Sequence, residues 1–193
     1  KQQRHELECL LQVFEDATEY GSLIRVPELD LEWLPEATAW AIERASSDRA
    51  DDTATLDGPA IEQQAKAMSR LARQAKVMSE KYDVVVTNPP YMGTRNMDKR
   101  LKDYLNSEYK EVKTDLFSSF IVRCQEYSSY GGHLGFMCPF VWMFIKSYEW
   151  LRKQIISDAQ ITTLVQLEYS GFDGATVPIC TFTLRNANAS DVG

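Results

Sequence analysis

Residues 81–93 read KYDVVVTNPPYMG, a strand-forming run that ends in a proline corner. Tyr82 to Thr87 is a continuous β-branched run, the mark of a strand buried on both faces in a parallel sheet. Asn88-Pro89-Pro90-Tyr91 follows at its carboxyl end, where open α/β sheets place their ligands. Downstream, Asp115 is placed to cap a helix running to about Tyr127, and Gly131-Gly132 turns the chain into a strand over His133 to Cys138. A helix over about Ser147 to Ser157 follows, and then strands at Ile161 to Glu168 and Ile179 to Arg185, joined by a loop from Tyr169 to Pro178. Strand, helix, strand, helix, strand, strand is the grammar of an α/β sheet with a hairpin at one edge.

Upstream of the motif the texture is helical. Gln2 to Tyr20 reads as one amphipathic helix, and Gly21, Pro27 and Pro35 punctuate a loop-rich stretch holding Trp33 and Trp40. Ser46 to Pro59 is polar, acidic and small, which predicts a mobile loop. From Ala60 to Lys81 a helix returns, with Ile61, Ala65, Met68, Leu71, Ala75 and Met78 on one stripe. The expected division is a helical and loop segment over 1–81 and an α/β segment over 82–193.

With 193 residues, 44% hydrophobic and 11% aromatic, the chain can bury a core. Its net charge of -7 excludes a whole surface that grips a polyanion, because phosphate neutralisation needs clustered cations. Arg95, Lys99, Arg100, Lys102, Lys110 and Lys113 follow the motif, but Asp98, Asp103, Glu108 and Glu111 interleave with them, so a solvated mixed-charge helix is expected. Cys9, Cys124, Cys138 and Cys180 are too scattered for a zinc set or a redox pair. His5 and His133 have no metal partners in the pattern, so no metal is expected. No run of about twenty apolar residues spans a membrane, and a reduced, soluble, cytoplasmic protein is the reading. The chain opens on Lys1 with helical spacing at Leu7, Leu10, Leu11 and Phe14, which predicts a piece of a longer protein. The aromatics Phe140, Trp142, Phe144 and Trp150 are expected in the core.

The chemistry is carried by Asn88, Pro89, Pro90 and Tyr91. The prolines fix φ and offer no N–H, so the carbonyls around them remain acceptors in a stiff loop. The Asn88 side-chain carbonyl adds another acceptor. Two acceptors aimed at one exocyclic amine hold its hydrogens and point the nitrogen lone pair at an incoming methyl group. Tyr91 offers a flat face for a base. An isolated Asn-Pro-Pro is as well read as a rigid turn closing a strand; Tyr91 and the buried strand ahead of it favour the site.

KYDVVVTNPPYMG resembles motif IV of the amino-methyltransferases that modify adenine in DNA. By that resemblance Asn88 and Pro89 bind the amino group and Tyr91 stacks on a flipped base. KTDLFSSFI (Lys113 to Ile121), GGHLGFMCPFVWMF (Gly131 to Phe144) and ITTLVQLEYSGFDGATVPICTFTLR (Ile161 to Arg185) resemble the following motifs. FEDATEYGSLI near the start and WMFIKSYEWLRKQI (Trp142 to Ile155) resemble the large PglX-type methyltransferases of bacteriophage-exclusion systems, over about Phe14 to Asn186. The resemblance implies a partial Rossmann-like class I methyltransferase sheet, S-adenosylmethionine as methyl donor, double-stranded DNA as substrate, and other proteins of a phage-defence system as partners. It places Phe172 on the far side of the flipped base, and Asn88, Asp115 and Leu116 near the cofactor.

The chain departs from that family upstream of Asn88. Only Gly21 and Gly58 occur there, so the Gly-rich cofactor loop and its acidic partner are missing. The expectation is that the fragment does not methylate alone. Its strand at Tyr82 to Thr87 should then show an unpaired edge covered by self-association or by the N-terminal segment. Two rivals stay open: methylation of a protein glutamine amide, which the same motif also serves, and a non-catalytic scaffold.

Overall fold

β1 (Tyr82–Thr87) forms as the β-branched run predicts, and it stands at one edge of a four-stranded mixed sheet. The computed structural model describes residues 1–50, 58–167 and 178–188. They fall into two compact units, Lys1–Glu80 and Lys81–Gly193.

In the second unit the sheet order is β1-β2-β4-β3, with β2 (Ser128–Pro139), β3 (Gln160–Gln166) and β4 (Ile179–Arg185). β1 and β2 run parallel, joined through α5 (Lys99–Glu108) and α6 (Leu116–Tyr127). β4 is antiparallel to both of its neighbours, so the closing hairpin sits where the sequence puts it. α7 (Glu149–Asp158) leads into β3. The mixed α/β class and the partial sheet agree with the sequence reading.

β2 begins five residues earlier than expected. Its pairing to β1 jumps from Tyr82↔Ser128 to Val84↔His133, so three extra residues bulge out of β2. Gly131 adopts φ 78 there, a left-handed turn that favours glycine. Gly132 follows where no side chain fits: a Cβ would lie 2.9 Å from the Ser129 carbonyl oxygen and 3.0 Å from that of Asp83.

The sheet's two faces differ. Leu134, Phe136, Cys138, Cys180, Phe182 and Leu184 alternate onto one face and are buried. Phe136 and Phe182 stack with centroids 5.0 Å apart, and Trp142 lies 5.0 Å from Phe182. Phe117 of α6 and Leu151 and Ile155 of α7 are fully buried. The expectation that β1 is buried on both faces is corrected: Val84 is 62% and Val86 75% exposed. Both lie on the opposite face with Gly135, Met137, Thr181 and Thr183, whereas the buried alternation of β2 and β4 places the helical layer on the other side.

The aromatic stripe is corrected as well. Trp142 is buried, but Phe144 is 67% exposed and Trp150 also stands out to solvent. Residues 140–143 form a 3-10 turn, which breaks the helical spacing that would keep all four on one side. Phe144 packs edge-on against Phe140 instead, at 5.6 Å.

The first unit contains α1 (Gln2–Val13), α2 (Ala17–Tyr20), α3 (Leu34–Ala50) and α4 (Gly58–Ser79). The single helix expected over Gln2 to Tyr20 is interrupted at 14–16. α3 replaces the expected loop. Pro35 stands in its first turn, where its missing N–H costs nothing, so it starts a helix rather than breaking one. Ser46 and Ser47 belong to the same helix, their hydroxyls donating to the carbonyls of Ile42 and Glu43. At the other end of the expected mobile loop Gly58 and Pro59 begin α4, and residues 51–57 lie outside the described residues. On α4, Ala65, Ala75 and Met78 of the expected stripe are buried while Ile61 is exposed. Among the described residues no helix is long and apolar enough to cross a membrane.

Candidate active site

Parallel pairing of Thr87 with Phe136 brings the end of β1 level with Met137 of β2, and Asn88-Pro89-Pro90-Tyr91 leaves the sheet at that point. Pro89 is buried and anchors the loop, while Asn88 and Pro90 are exposed. Tyr91 is 37% exposed and folds back over the strand end. Its hydroxyl donates to Asn88 Oδ1 at 2.8 Å, with the Met137 carbonyl oxygen a second acceptor at 3.1 Å. One proton serves two acceptors, so the hydroxyl can pass from one to the other without being left unpaired. Burial raises the Tyr91 hydroxyl above the usual tyrosine range, which keeps it a donor.

The loop continues onto α6. Asp115 Oδ1 accepts from the Met92 N–H at 3.1 Å and from the Phe117 N–H at 3.3 Å, and the Leu116 N–H donates to the Met92 carbonyl at 2.9 Å. Asp115 is therefore the helix cap that the sequence predicts. Burial pushes its carboxyl above the ordinary range, against the backbone N–H groups that favour the charged form. Leu116 is buried. Phe172 lies outside the described residues.

A shallow depression of about 460 Å³ adjoins the site on the open face, lined by Val86, Thr87, Asn88, Gly135, Met137 and Thr181. Behind the sheet, Cys138 and Cys180 face each other across β2 and β4 as free thiols. The Cys138–Cys180 hydrogen bond, reinforced by burial, holds the Cys138 thiol far above its ordinary range. Among the basic residues after the motif, Lys99 and Arg100 are exposed on α5, which is capped by Asp98 and buries Leu101 and Leu105, while Lys102 and Lys113 are half-buried. Met137 and Met92 are the site residues that sequence reasoning missed, because both act through backbone atoms. The parallel register between β1 and β2 is the signal that would have found Met137.

Residues 10–172 match the Eco57I restriction-modification methylase family. The chain belongs to that family. Among curated relatives, it is 29% identical over 181 residues to the adenine-specific methyltransferase BrxX of Escherichia coli O9:H4 (strain HS), covering 91% of this chain and 14% of that protein. It is 36% identical over 90 residues to the adenine-specific methyltransferase PglX of Lacticaseibacillus casei (strain Zhang), covering 47% of this chain and 8% of the relative. The chain therefore spans a small part of these methylases. Among solved structures, the M protein of the type I restriction enzyme EcoKI aligns with TM-score 0.40 and 13% identity, over 82% of this chain and 38% of that one.

Proposed function

We propose that this chain is the amine-binding part of an adenine-specific DNA methyltransferase, and that the longer protein carrying it transfers a methyl group to the exocyclic N6 amine of a flipped adenine. The observation that carries the reading is the Asn88 side chain at the end of β1, with Oδ1 already accepting a hydrogen bond from Tyr91 at 2.8 Å. An adenine amine can take that place while the Tyr91 hydroxyl keeps Met137 as its acceptor. Asn88 and the carbonyls of the proline pair would then hold the two amine hydrogens, leaving the nitrogen lone pair free for the new N–C bond. The exposed ring of Tyr91 is the face on which the base would stack. Phe172 is proposed as the contact on its far side.

S-adenosylmethionine, the proposed methyl source, supplies an electrophilic methyl group on a sulfonium sulfur when bound. We place one flank of it at Asn88, which offers a side-chain amide, and at Leu116, in the corner of α6 that Asp115 ties to the loop after Tyr91. The glycine-rich turn and the ribose-binding acid are not found before Asn88, so we place the remaining contacts in polypeptide beyond these 193 residues. By the same reading residues 82–193 form the later half of a catalytic domain and 1–81 lead into it. The setting we propose is a cytoplasmic phage-defence system, with double-stranded DNA as substrate and other proteins of that system as partners. The exposed edge and face of β1, with Val84 and Val86, are the proposed place of association with further polypeptide or a second copy.

The test is Asn88→Ala in the full-length protein, with N6-methyladenine in cellular DNA measured by mass spectrometry. Loss of the modification with the protein still folded is expected. Undiminished N6-methyladenine would refute the assignment, and protection from phage without methylation would turn the reading into a scaffold.

A further inference from the structure

The geometry points to Asp115 as a positioning residue for the Asn-Pro-Pro-Tyr loop, acting through the backbone of Met92 and Gly93 rather than on substrate. This rests on the reading of Asn88 and Tyr91 as the amine-binding pair. A helix cap needs only the bond from Asp115 to the Phe117 N–H. The same oxygen, Oδ1, also accepts from the Met92 N–H at 3.1 Å, on the residue that follows Tyr91. One atom thus joins the loop to the first turn of α6.

The contact is built on both sides. Gly93 and Asp115 pair as an antiparallel bridge, the Leu116 N–H donates to the Met92 carbonyl at 2.9 Å, and the Thr94 N–H donates to the Thr114 carbonyl at 3.2 Å. The helix end behind it is fixed: Phe117 and Ser118 are fully buried, and the Ser118 hydroxyl reaches the carbonyls of Val112 and Asp115, each at 2.6 Å. At its other end the loop is tied through the Tyr91 hydroxyl to Met137 on β2. Tyr91 is therefore stretched between the sheet and α6, and Asp115 supplies the α6 tether.

Serine and asparagine separate positioning from capping. Both cap helices about as well as aspartate, but the asparagine oxygen stands where Oδ1 stands, whereas the serine hydroxyl is one bond shorter and falls away from Met92. In the full-length protein, Asp115→Asn is expected to retain at least about tenfold more kcat than Asp115→Ser. Asp115→Ser should lower kcat on the order of a hundredfold, the scale of a misplaced reacting group, with KM for DNA unchanged to within about twofold. Its thermal midpoint should match that of Asp115→Asn. Equal kcat for the two variants would overturn the inference, and so would a loss in Asp115→Ser matched by an equal loss of stability. If the serine variant does not fold, Asp115→Thr, of the same reach, takes its place. Asn88→Ala in the same assay separates the levels. If Asn88→Ala methylates normally, the functional reading fails and this inference with it. If Asn88→Ala is inactive while Asp115→Ser equals Asp115→Asn, only the positioning role fails.

Discussion

Gly132→Ala tests the register of β1 against β2, on which the placement of Asn88 depends. A Cβ at residue 132 would stand 2.7 Å from Ser128 Oγ, 2.9 Å from the Ser129 carbonyl oxygen and 3.0 Å from the Asp83 carbonyl oxygen. The first neighbour can rotate away. The other two are backbone, one of them in β1 itself, so the strands must part by some tenths of an ångström. Overpacking of this kind costs about 1–3 kcal/mol. At about 4 °C per kcal/mol for a domain of this size, the midpoint should fall by about 4–12 °C. Gly135→Ala is the control in the same strand, because its Cβ would meet the Val86 methyl groups at 3.5 Å, an ordinary contact. It should melt within about 2 °C of wild type, or slightly higher because alanine restricts the unfolded chain. Differential scanning calorimetry on both variants decides the matter. A Gly132→Ala protein that melts with wild type, or a Gly135→Ala protein that falls as far, would show that the bulge is not packed as described.

Asp98→Ala removes the cap of α5, where Asp98 Oδ1 accepts from the Leu101 N–H at 2.7 Å; a loss of about 1 kcal/mol is expected by urea denaturation, and no change would refute the cap. Burial holds the Cys124 thiol up to about 12, and Cys138 is raised further by its bond to Cys180. A thiol reagent applied to native protein at about pH 8 should therefore label the half-exposed Cys9 first and reach Cys124 and Cys138 only on unfolding; mass spectrometry of early labelled peptides checks this. Burial, with the charge of Asp115, pushes the Tyr148 hydroxyl up to about 12 from an ordinary 10.0. A raised folded value means stability that is intact below pH 10 and lost as the pH rises towards 12, so Tyr148→Phe should flatten the alkaline limb of a thermal-midpoint profile, and an unchanged limb would contradict the assignment.

The strands and the site were legible in the sequence where residue type alone decides them. The valine run, the Asn-Pro-Pro-Tyr corner, the Asp115 cap and the closing hairpin each carry a local signal. Three things were not legible. Whether Val84 and Val86 meet a second layer depends on which elements reach that face, and a β-branched run reads the same either way. Pro35 and Ser46 look like loop residues by type, yet a first-turn proline and a serine bonded back to the preceding turn are both compatible with a helix. The contacts that shape the candidate site, Tyr91 to Met137 and Asp115 to Met92, run to main-chain atoms, which every residue possesses. The register of β1 against β2, set by a three-residue bulge, brings the first into reach, and the Gly93–Asp115 bridge the second.

The position of β4 has a consequence for biosynthesis. Among the described residues the last strand in chain order lies in the interior of the sheet, between β2 and β3, which do not pair with each other. A ribosome that has released β1, β2 and β3 has therefore released a pair and a stray strand, not an incomplete sheet awaiting its edge. From Phe136 to its partner Phe182, synthesis takes roughly 2–9 s at 5–20 residues per second, and for the last part of that interval the β3 backbone also waits without its partner. The nascent chain should be most open to chaperones just before Ile179 emerges.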